Sequence, residues 1–302
     1  MEYRFLGNSG LKVSAIEFGN WLNSDSSDRK QKMIEIIKRA YTLGINFFDT
    51  AEACSQGEGQ IQFGEAFKAL GAPRQEIVIS SKIFWVAPPT SSFVIDLMKI
   101  LPQRKLLKLQ TTQSNNDLFT TGEPQNGQLV RSQKEKFEVE YGRLFDKYKL
   151  GTTIWIPLCS GILTGKYNDG TIPTGSRLQE FKDNFYMKRI YSQYFAEDKK
   201  EKLLKLLNAL GNIAMILKYT QSQLAMAWVL ANTDVSSAIT SATRPEQLDD
   251  IVKSVQVVKL ITPEVNKEIN AILGNKSMCG IDDKTYGLKK YKKRFNVIKN
   301  QY

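Results

Sequence analysis

Asp49 closes one apolar, strand-like run in "GINFFDTAEACSQGEG" (44–59), where Ile45, Phe47 and Phe48 lead up to Asp49, Thr50 and Glu52, and Lys82 stands in another, "EIVISSKIFW" (76–85). A carboxylate and an ammonium carried on two parallel strands can lower the pKa of a neighbouring acid or anchor a cofactor. The same pair can equally be a salt bridge in the rim of a barrel. Thr243 and Arg244 in "SATRPEQL" precede a helix start. There a guanidinium and unpaired N–H groups suit a phosphate, or the helix is simply capped. Cys54 comes next to a glycine-rich turn whose "GEG" (57–59) does not complete GxGxxG, and "SGILTGK" (160–166) lacks the spacing of a phosphate loop. The chain has no histidine. That excludes Ser-His-Asp and Cys-His arrangements and removes the commonest acid/base group and metal ligand.

The elements that must position these residues alternate. "RFLGNSGLKVSAIEFGNW" reads as two short strands around an Asn-Ser-Gly turn. A helix from Arg29 to Leu43 follows, with Met33, Ile36, Ile37 and Ala40 on one face and Gly44 as its C-cap. Strand Ile45–Asp49, helix Gln60–Leu70 and strand Glu76–Trp85 continue the pattern. After a polar, turn-rich stretch through residue 122, with a basic helix possible over Phe93–Leu109, come a charged helix Ser132–Tyr148 and a strand Gly151–Leu158. A long loop and helices Glu201–Lys218 and Gln221–Leu230 follow, the latter opening on the capping box Thr220/Gln223. "VSSAITSA" is a last strand, and "RPEQLDDIVKSV" starts a helix directly after it. Nearly continuous apolar strands alternating with helices describe a parallel sheet covered on its faces.

Composition fits such a chain. Of its 302 residues 42% are hydrophobic and 24% charged, enough apolar material for a sizeable core. The net charge is +11, but most basic residues sit among acidic ones; only "KKYKKRF" (289–295) concentrates them. No aromatic-basic nucleic-acid motif accompanies that cluster, so a solvated tail or an acidic partner or membrane face is expected instead. Cys54, Cys159 and Cys279 show neither disulfide nor zinc spacing. No apolar run is long enough to span a bilayer and no leader is apparent, so a cytoplasmic protein is expected.

Taken in order, "RFLGNSGLKVSAIEFGNW", "GINFFDTAEACSQGEGQIQFGEAFKAL", "VISSKIFW", "IWIPLCSGILTGKY", "SQLAMAWVL", "VSSAITSATRPEQLDDIV" and "INAILGNKS" resemble the aldo-keto reductase superfamily. "SKIFW" and "ILGNKS" resemble in particular its voltage-gated potassium channel beta subunits. The resemblance covers roughly residues 1–86 and 123–277. It implies a single domain over 1–302 of the (β/α)8 barrel type, with NADPH lying along the carboxyl-terminal face of the strands. It also implies a homotetramer docked on the cytoplasmic side of a channel alpha subunit, and a small carbonyl substrate where the chain is active.

Reductases of this superfamily use an aspartate, a lysine, a tyrosine that protonates the carbonyl oxygen and a histidine that orients the substrate. Asp49 matches the aspartate and Lys82 the lysine, whereas Cys54 stands where the tyrosine would be. The channel beta branch commonly has asparagine for the histidine. A thiol is shorter than a phenol and a weak hydrogen-bond donor. General-acid help is worth on the order of 10²- to 10⁴-fold, so efficient carbonyl reduction is not expected.

By the same resemblance Asn20 and Trp21 lie near the nicotinamide, and Gln125 matches a glutamine that binds the carboxamide. Trp155, Pro157, Leu158, Cys159 and Ser160 belong to the segment under the cofactor, with Ile156 in place of a usual serine. Lys166 and Arg177 match positions that hold phosphate or close over the cofactor. Ser241, Thr243, Arg244, Gln247 and Asp250 match the adenosine end, and Arg244 favours NADPH over NADH. Ile251 replaces an asparagine. The residues between Trp85 and Glu123 are too few for the family's fourth and fifth strands with their helices, since a βα-type unit takes roughly 30 residues. The barrel is therefore expected to be incomplete there. Three readings stay open: an NADPH-binding, regulatory beta-subunit type with impaired or absent activity, an active NADPH-dependent aldehyde or ketone reductase, and a degenerate paralogue that does not fold stably.

Overall fold

In a computed structural model, residues 1–20, 27–51, 54, 58–81, 145 and 147–274 are described, without the side chains of 27–30 and 185–186. They fall into two compact units. Within the described residues the first unit takes 1–81, 151–155 and 233–255, and the second 145–150, 156–232 and 256–274.

The first unit is built on a five-stranded parallel sheet. Its strands are β3 (Ile16–Gly19), β4 (Phe47–Asp49), β5 (Val78–Ser80), β6 (Thr153–Ile154) and β7 (Ser237–Thr240), in the order β5-β4-β3-β7-β6. The last strand lies parallel to the first of the sheet, with Ile16 opposite Ala238 and Phe18 opposite Thr240. That neighbourhood is what closure of a (β/α)8 barrel requires, in which eight strands complete the ring. The stretch between β5 and β6 in which the fourth and fifth strands were expected to be lacking is outside the described residues. So are the helix foreseen at Phe93–Leu109, most of the one at Ser132–Tyr148, and the basic C-terminal segment.

Alternation sorts the strand side chains onto two faces. Phe18 and Phe48 point to helix α2 (Glu58–Leu70), where Phe63 lies 6.1 and 6.2 Å from them and Phe67 5.0 Å from Phe48. Burying each such ring stabilises the fold by roughly 1.5–3 kcal/mol. The residues between them, Glu17, Gly19 and Asp49, turn to the opposite face. Helix α1 (Ser27–Thr42) packs on α2 and begins slightly earlier than its apolar stripe suggested. The N-terminal run splits into β2 (Lys12–Ser14) and β3, not one strand. β2 pairs antiparallel with β1 (Tyr3–Phe5). This hairpin sits at the amino ends of the sheet, where Ser236 Oγ donates to Phe5 O over 3.2 Å. Gly151 meets it so closely that a Cβ would lie 2.4 Å from Gly7 N.

The second unit is helical. It contains α3 (Arg177–Glu180), α4 (Phe185–Tyr194), α5 (Glu197–Ile216), α6 (Gln221–Leu230) and α9 (Pro263–Leu273). Helix α5 buries Leu203, Leu207, Leu210 and Ala214 at spacings of three and four, against α6 and α9. The foreseen capping box is made in full: Gln223 N donates to Thr220 Oγ1 (3.2 Å) and Thr220 N to Gln223 Oε1 (3.0 Å). Trp228 Nε1 on α6 donates to Asn266 Oδ1 on α9 over 2.9 Å. Two short helices complete the described elements: α7 (Pro245–Ile251), which belongs to the first unit, and α8 (Ser254–Val257). Among the described residues no helix is long and apolar enough to cross a membrane.

Candidate cofactor and active site

Every strand of the parallel sheet delivers a candidate residue to its carboxyl end. Asn20 follows β3, Asp49 ends β4, Ser80 ends β5, Trp155 follows β6 and Ser241 follows β7. In open or closed parallel α/β sheets this edge is where loops build sites, because the strands supply rigid positions and the loops supply reach. Lys82, Trp21 and Gln125 lie outside the described residues.

Asp49 is buried and its Oδ1 accepts a hydrogen bond from Ser80 Oγ. Asn20 is 1% exposed and donates from Nδ2 to Gly59 O over 2.5 Å. Cys54 is buried, its N–H bound to Ala51 O at 2.9 Å. Its Cβ rests 3.0 Å from where a Cβ on Gly59 would stand, and Asn20 Nδ2 lies 3.1 Å from the same point. Glycine in the first turn of α2 thus lets Asn20 and Cys54 close on the helix together. The thiol position is packed into protein.

On the loop after β7, Gln247 Oε1 accepts from Thr243 N (2.7 Å), Thr243 Oγ1 (3.3 Å) and Arg244 N (3.3 Å). This fixes the turn that carries the exposed Arg244. Helix α7 has only seven residues, so the guanidinium and not the helix dipole supplies most of the positive potential. Asp250 is half-buried and Ile251 buried. The neighbouring Asp249 pairs with Arg39 of α1, whose pKa is raised first by that hydrogen bond.

In the second unit the "IPLCSG" segment is an unusual turn. Ile156, Cys159, Ser160 and Gly161 have φ of 54, 49, 54 and 96°. A β-branched residue in the left-handed region costs on the order of 1–3 kcal/mol and persists only where its surroundings impose it. It also ends β6 early, at Ile154 and not at Leu158 as the apolar run suggested. Within the turn the Cys159 and Gly161 N–H groups donate to Ile156 O and Leu158 O, each over 2.9 Å, so the backbone is held by its own bonds. Pro157 and Cys159 are buried and Leu158 is half-buried. Ser160 is 4% exposed, and among the described residues its Oγ has no hydrogen-bond partner, an atom still open to a ligand oxygen. The Lys166 ammonium lies 3.3 Å from the point a Cβ on Gly161 would take and 5.1 Å from the centre of the Tyr167 ring. Lys166 is solvent-exposed by area yet crowded by protein. Its pKa is lowered, chiefly by desolvation, then by the positive charge of Arg177, against a smaller opposite effect of Glu180. Two cations and a buried serine hydroxyl form a donor set for a phosphate-bearing group.

Two participants went unnoticed in sequence: Ser80 and Glu17. Glu17 is fully buried, with Oε1 3.3 Å from Ser80 Oγ. The signal was an acidic residue inside the apolar run "SAIEFG" and a serine one strand period before Lys82. Among the described residues no group of three metal-ligating side chains occurs.

A sheet of this order with candidate groups along its carboxyl edge is the arrangement of a (β/α)8 barrel protein. A profile of the "Aldo/keto reductase family" matches residues 15–115 and 130–273, and the chain belongs to that family. Among its relatives is an Arabidopsis thaliana protein named "Probable voltage-gated potassium channel subunit beta". It is 30% identical over 91% of this chain and 98% of its own length. A Schizosaccharomyces pombe relative, whose name also describes a voltage-gated potassium channel subunit beta, is 32% identical over 90% and 93%. An Oryza sativa subsp. japonica relative named as the Arabidopsis one is 28% identical over 91% and 98%. The Arabidopsis alignment runs over 331 positions against the 302 residues of this chain, so the relative carries residues that this chain lacks.

Proposed function

We propose that this chain is an NADPH-binding aldo/keto reductase-type protein of the potassium channel beta-subunit kind, in which carbonyl reduction is impaired or absent and the nucleotide serves regulation. One domain over 1–302, a homotetramer, a cytoplasmic location and a channel alpha subunit as partner belong to the same reading. The names of the relatives support the channel partner. The observation that carries the reading is the contrast within one sheet edge. Asp49 is kept, buried and hydrogen-bonded, while Cys54, where the tyrosine proton donor would be, is packed on Gly59.

The residues present fit NADPH. Asn20, Trp21, Gln125 and Trp155 are assigned to its nicotinamide end. The turn at Pro157–Ser160, with Lys166 and Arg177, is assigned to its diphosphate, where the Ser160 hydroxyl has an unmet hydrogen bond. Arg244 is assigned to the 2′-phosphate, with Ser241, Thr243, Gln247 and Asp250 around the adenosine. When bound, NADPH would supply hydride to a small carbonyl compound. Asp49 and Lys82 remain as the polar remnant of the catalytic set.

Thermal unfolding with and without NADPH, then with NADH, tests this. Nucleotide at 100 times its Kd stabilises the native state by about 2.7 kcal/mol. A cooperative transition raised by NADPH and less by NADH at equal concentration is expected. A transition indifferent to both refutes the cofactor reading.

A further inference from the structure

Lys166 is exposed to approaching solutes, yet its charge is poorly accommodated. The short 3-10 helix Cys159–Thr164 ends on Gly165, whose φ of 87° reverses the chain, and Lys166 comes back across the bare backbone of Gly161. Its Cε and Nζ lie 3.4 and 3.3 Å from the point a Cβ on Gly161 would take, so protein and not water covers that side of the amine. Nζ also stands 5.1 Å from the centre of the Tyr167 ring, which is fully buried and packs edge-on against Phe195 at 5.5 Å. The ring face favours the charged form, and so does Glu180. Against them act desolvation, the largest influence, and then the Arg177 guanidinium at the start of α3; both favour the neutral amine, and the net shift is downward. All of these groups belong to the second unit. Desolvation together with an adjacent cation is how a lysine becomes a nucleophile toward carbonyl compounds.

We propose that in the nucleotide-free protein Lys166 is a modification site for small aldehydes that carry a phosphate, and that bound NADPH closes it. The phosphate is recognised by Arg177 and the buried Ser160 hydroxyl. These are the donors assigned to the NADPH diphosphate, so the proposal deepens that reading and rests on it for the gating. The step needs no redox partner. The unprotonated Lys166 amine attacks the aldehyde carbon and a C–N bond forms. The two amine hydrogens leave with the carbonyl oxygen as water, a C=N bond remains, and water reverses the reaction. A chain in which carbonyl reduction is impaired does not consume such an aldehyde, which therefore persists to reach the amine. Adduct and nucleotide compete for Lys166 and Arg177, so the aldehyde level sets the fraction of the protein open to NADPH.

Glycolaldehyde phosphate and propanal, each with cyanoborohydride to trap the imine, are the probes. The nucleotide-free full chain is treated at about pH 8, well below the ordinary lysine pKa of about 10.4, and labelled lysines are read by peptide mass spectrometry. Lys205, exposed and paired with Glu201 at 2.6 Å, is the internal reference. Labelling several-fold faster at Lys166 than at Lys205, more selective with glycolaldehyde phosphate than with propanal, and suppressed by NADPH, is expected. The rate at Lys166 should also rise at lower pH than that of an ordinary lysine, because an amine with a lowered pKa is free at lower pH. Equal labelling of both lysines overturns the proposal, and the wild type alone decides this, so no variant has to fold. Equal selectivity with propanal removes the phosphate-bearing class. Arg177→Met should lose the phosphate preference and much of the rate; full retention of both overturns the part given to Arg177. Thermal shifts with NADPH on the same samples separate the failures. Selective labelling with neither a shift nor protection removes the cofactor reading alone, and a shift without selective labelling removes Lys166 alone. A shift with unprotected labelling removes the gating.

Discussion

Gly59→Ala and Gly64→Ala place the same methyl group at two points of one helix, α2, and should move stability in opposite directions. At Gly64 a Cβ would meet nothing within 4 Å among the described residues, and the position is exposed in the helix interior. Replacing glycine there removes unfolded-state freedom and should stabilise by about 1 kcal/mol. At Gly59 the Cβ would lie 3.0 Å from Cys54 Cβ, 3.1 Å from Cys54 O and 3.1 Å from Asn20 Nδ2. Two of these atoms are in or next to the backbone and cannot swing aside. Overpacking of this kind costs about 1–3 kcal/mol, against a propensity gain that is smaller in the first turn than in the interior. The net effect should be roughly 1–2 kcal/mol of destabilisation, separating the variants by about 2–3 kcal/mol, or roughly 5–10 °C in Tm for a chain of this size. Urea and thermal denaturation of the three proteins side by side would measure it. Because Asn20 must move, Gly59→Ala should also weaken NADPH binding while Gly64→Ala leaves it alone. Equal stabilisation by both substitutions would refute the packing of Cys54 and Asn20 on α2.

Further outcomes follow from the other groups. Cys54→Tyr should raise NADPH-dependent turnover of nitrobenzaldehyde, by up to about 10²- to 10⁴-fold if the remaining site is intact; an unchanged rate would show that substrate placement is lost too. Lys166 has a lowered pKa from desolvation and Arg177, so it sheds its charge below the ordinary lysine range. NADPH affinity should therefore fall as pH rises through that lowered value, and titrations of Lys166→Met should lack this fall. Thr220→Ala removes half of the capping box of α6 and should cost about 1 kcal/mol by urea denaturation, without changing nucleotide affinity.

Local signals settled a great deal from the sequence alone. The capping box at Thr220 and Gln223, Gly44 after α1 and the apolar run ending in Asp49 are each specified by a few adjacent residues, and each is seen where expected. Asp49 and Cys54 belong to the same short run, and both are buried. Helix α9 was overlooked although Thr262, Pro263 and Gly274 mark its ends, and α4 bore no comparable boundary signal. Tertiary structure alone decided three things. Ile156 turns left-handed and stops β6 short, against the preference of a β-branched residue, because surrounding packing and not local propensity sets that backbone. Gly59 brings Asn20 and Cys54 together although they are far apart in the chain. Strand register carries Glu17, Ser80 and Asp49 from three separate segments onto one face. A period-of-two pattern tells which side chains share a face within a strand. Which residues meet across strands depends on pairing between distant segments, and no single stretch of sequence contains that information.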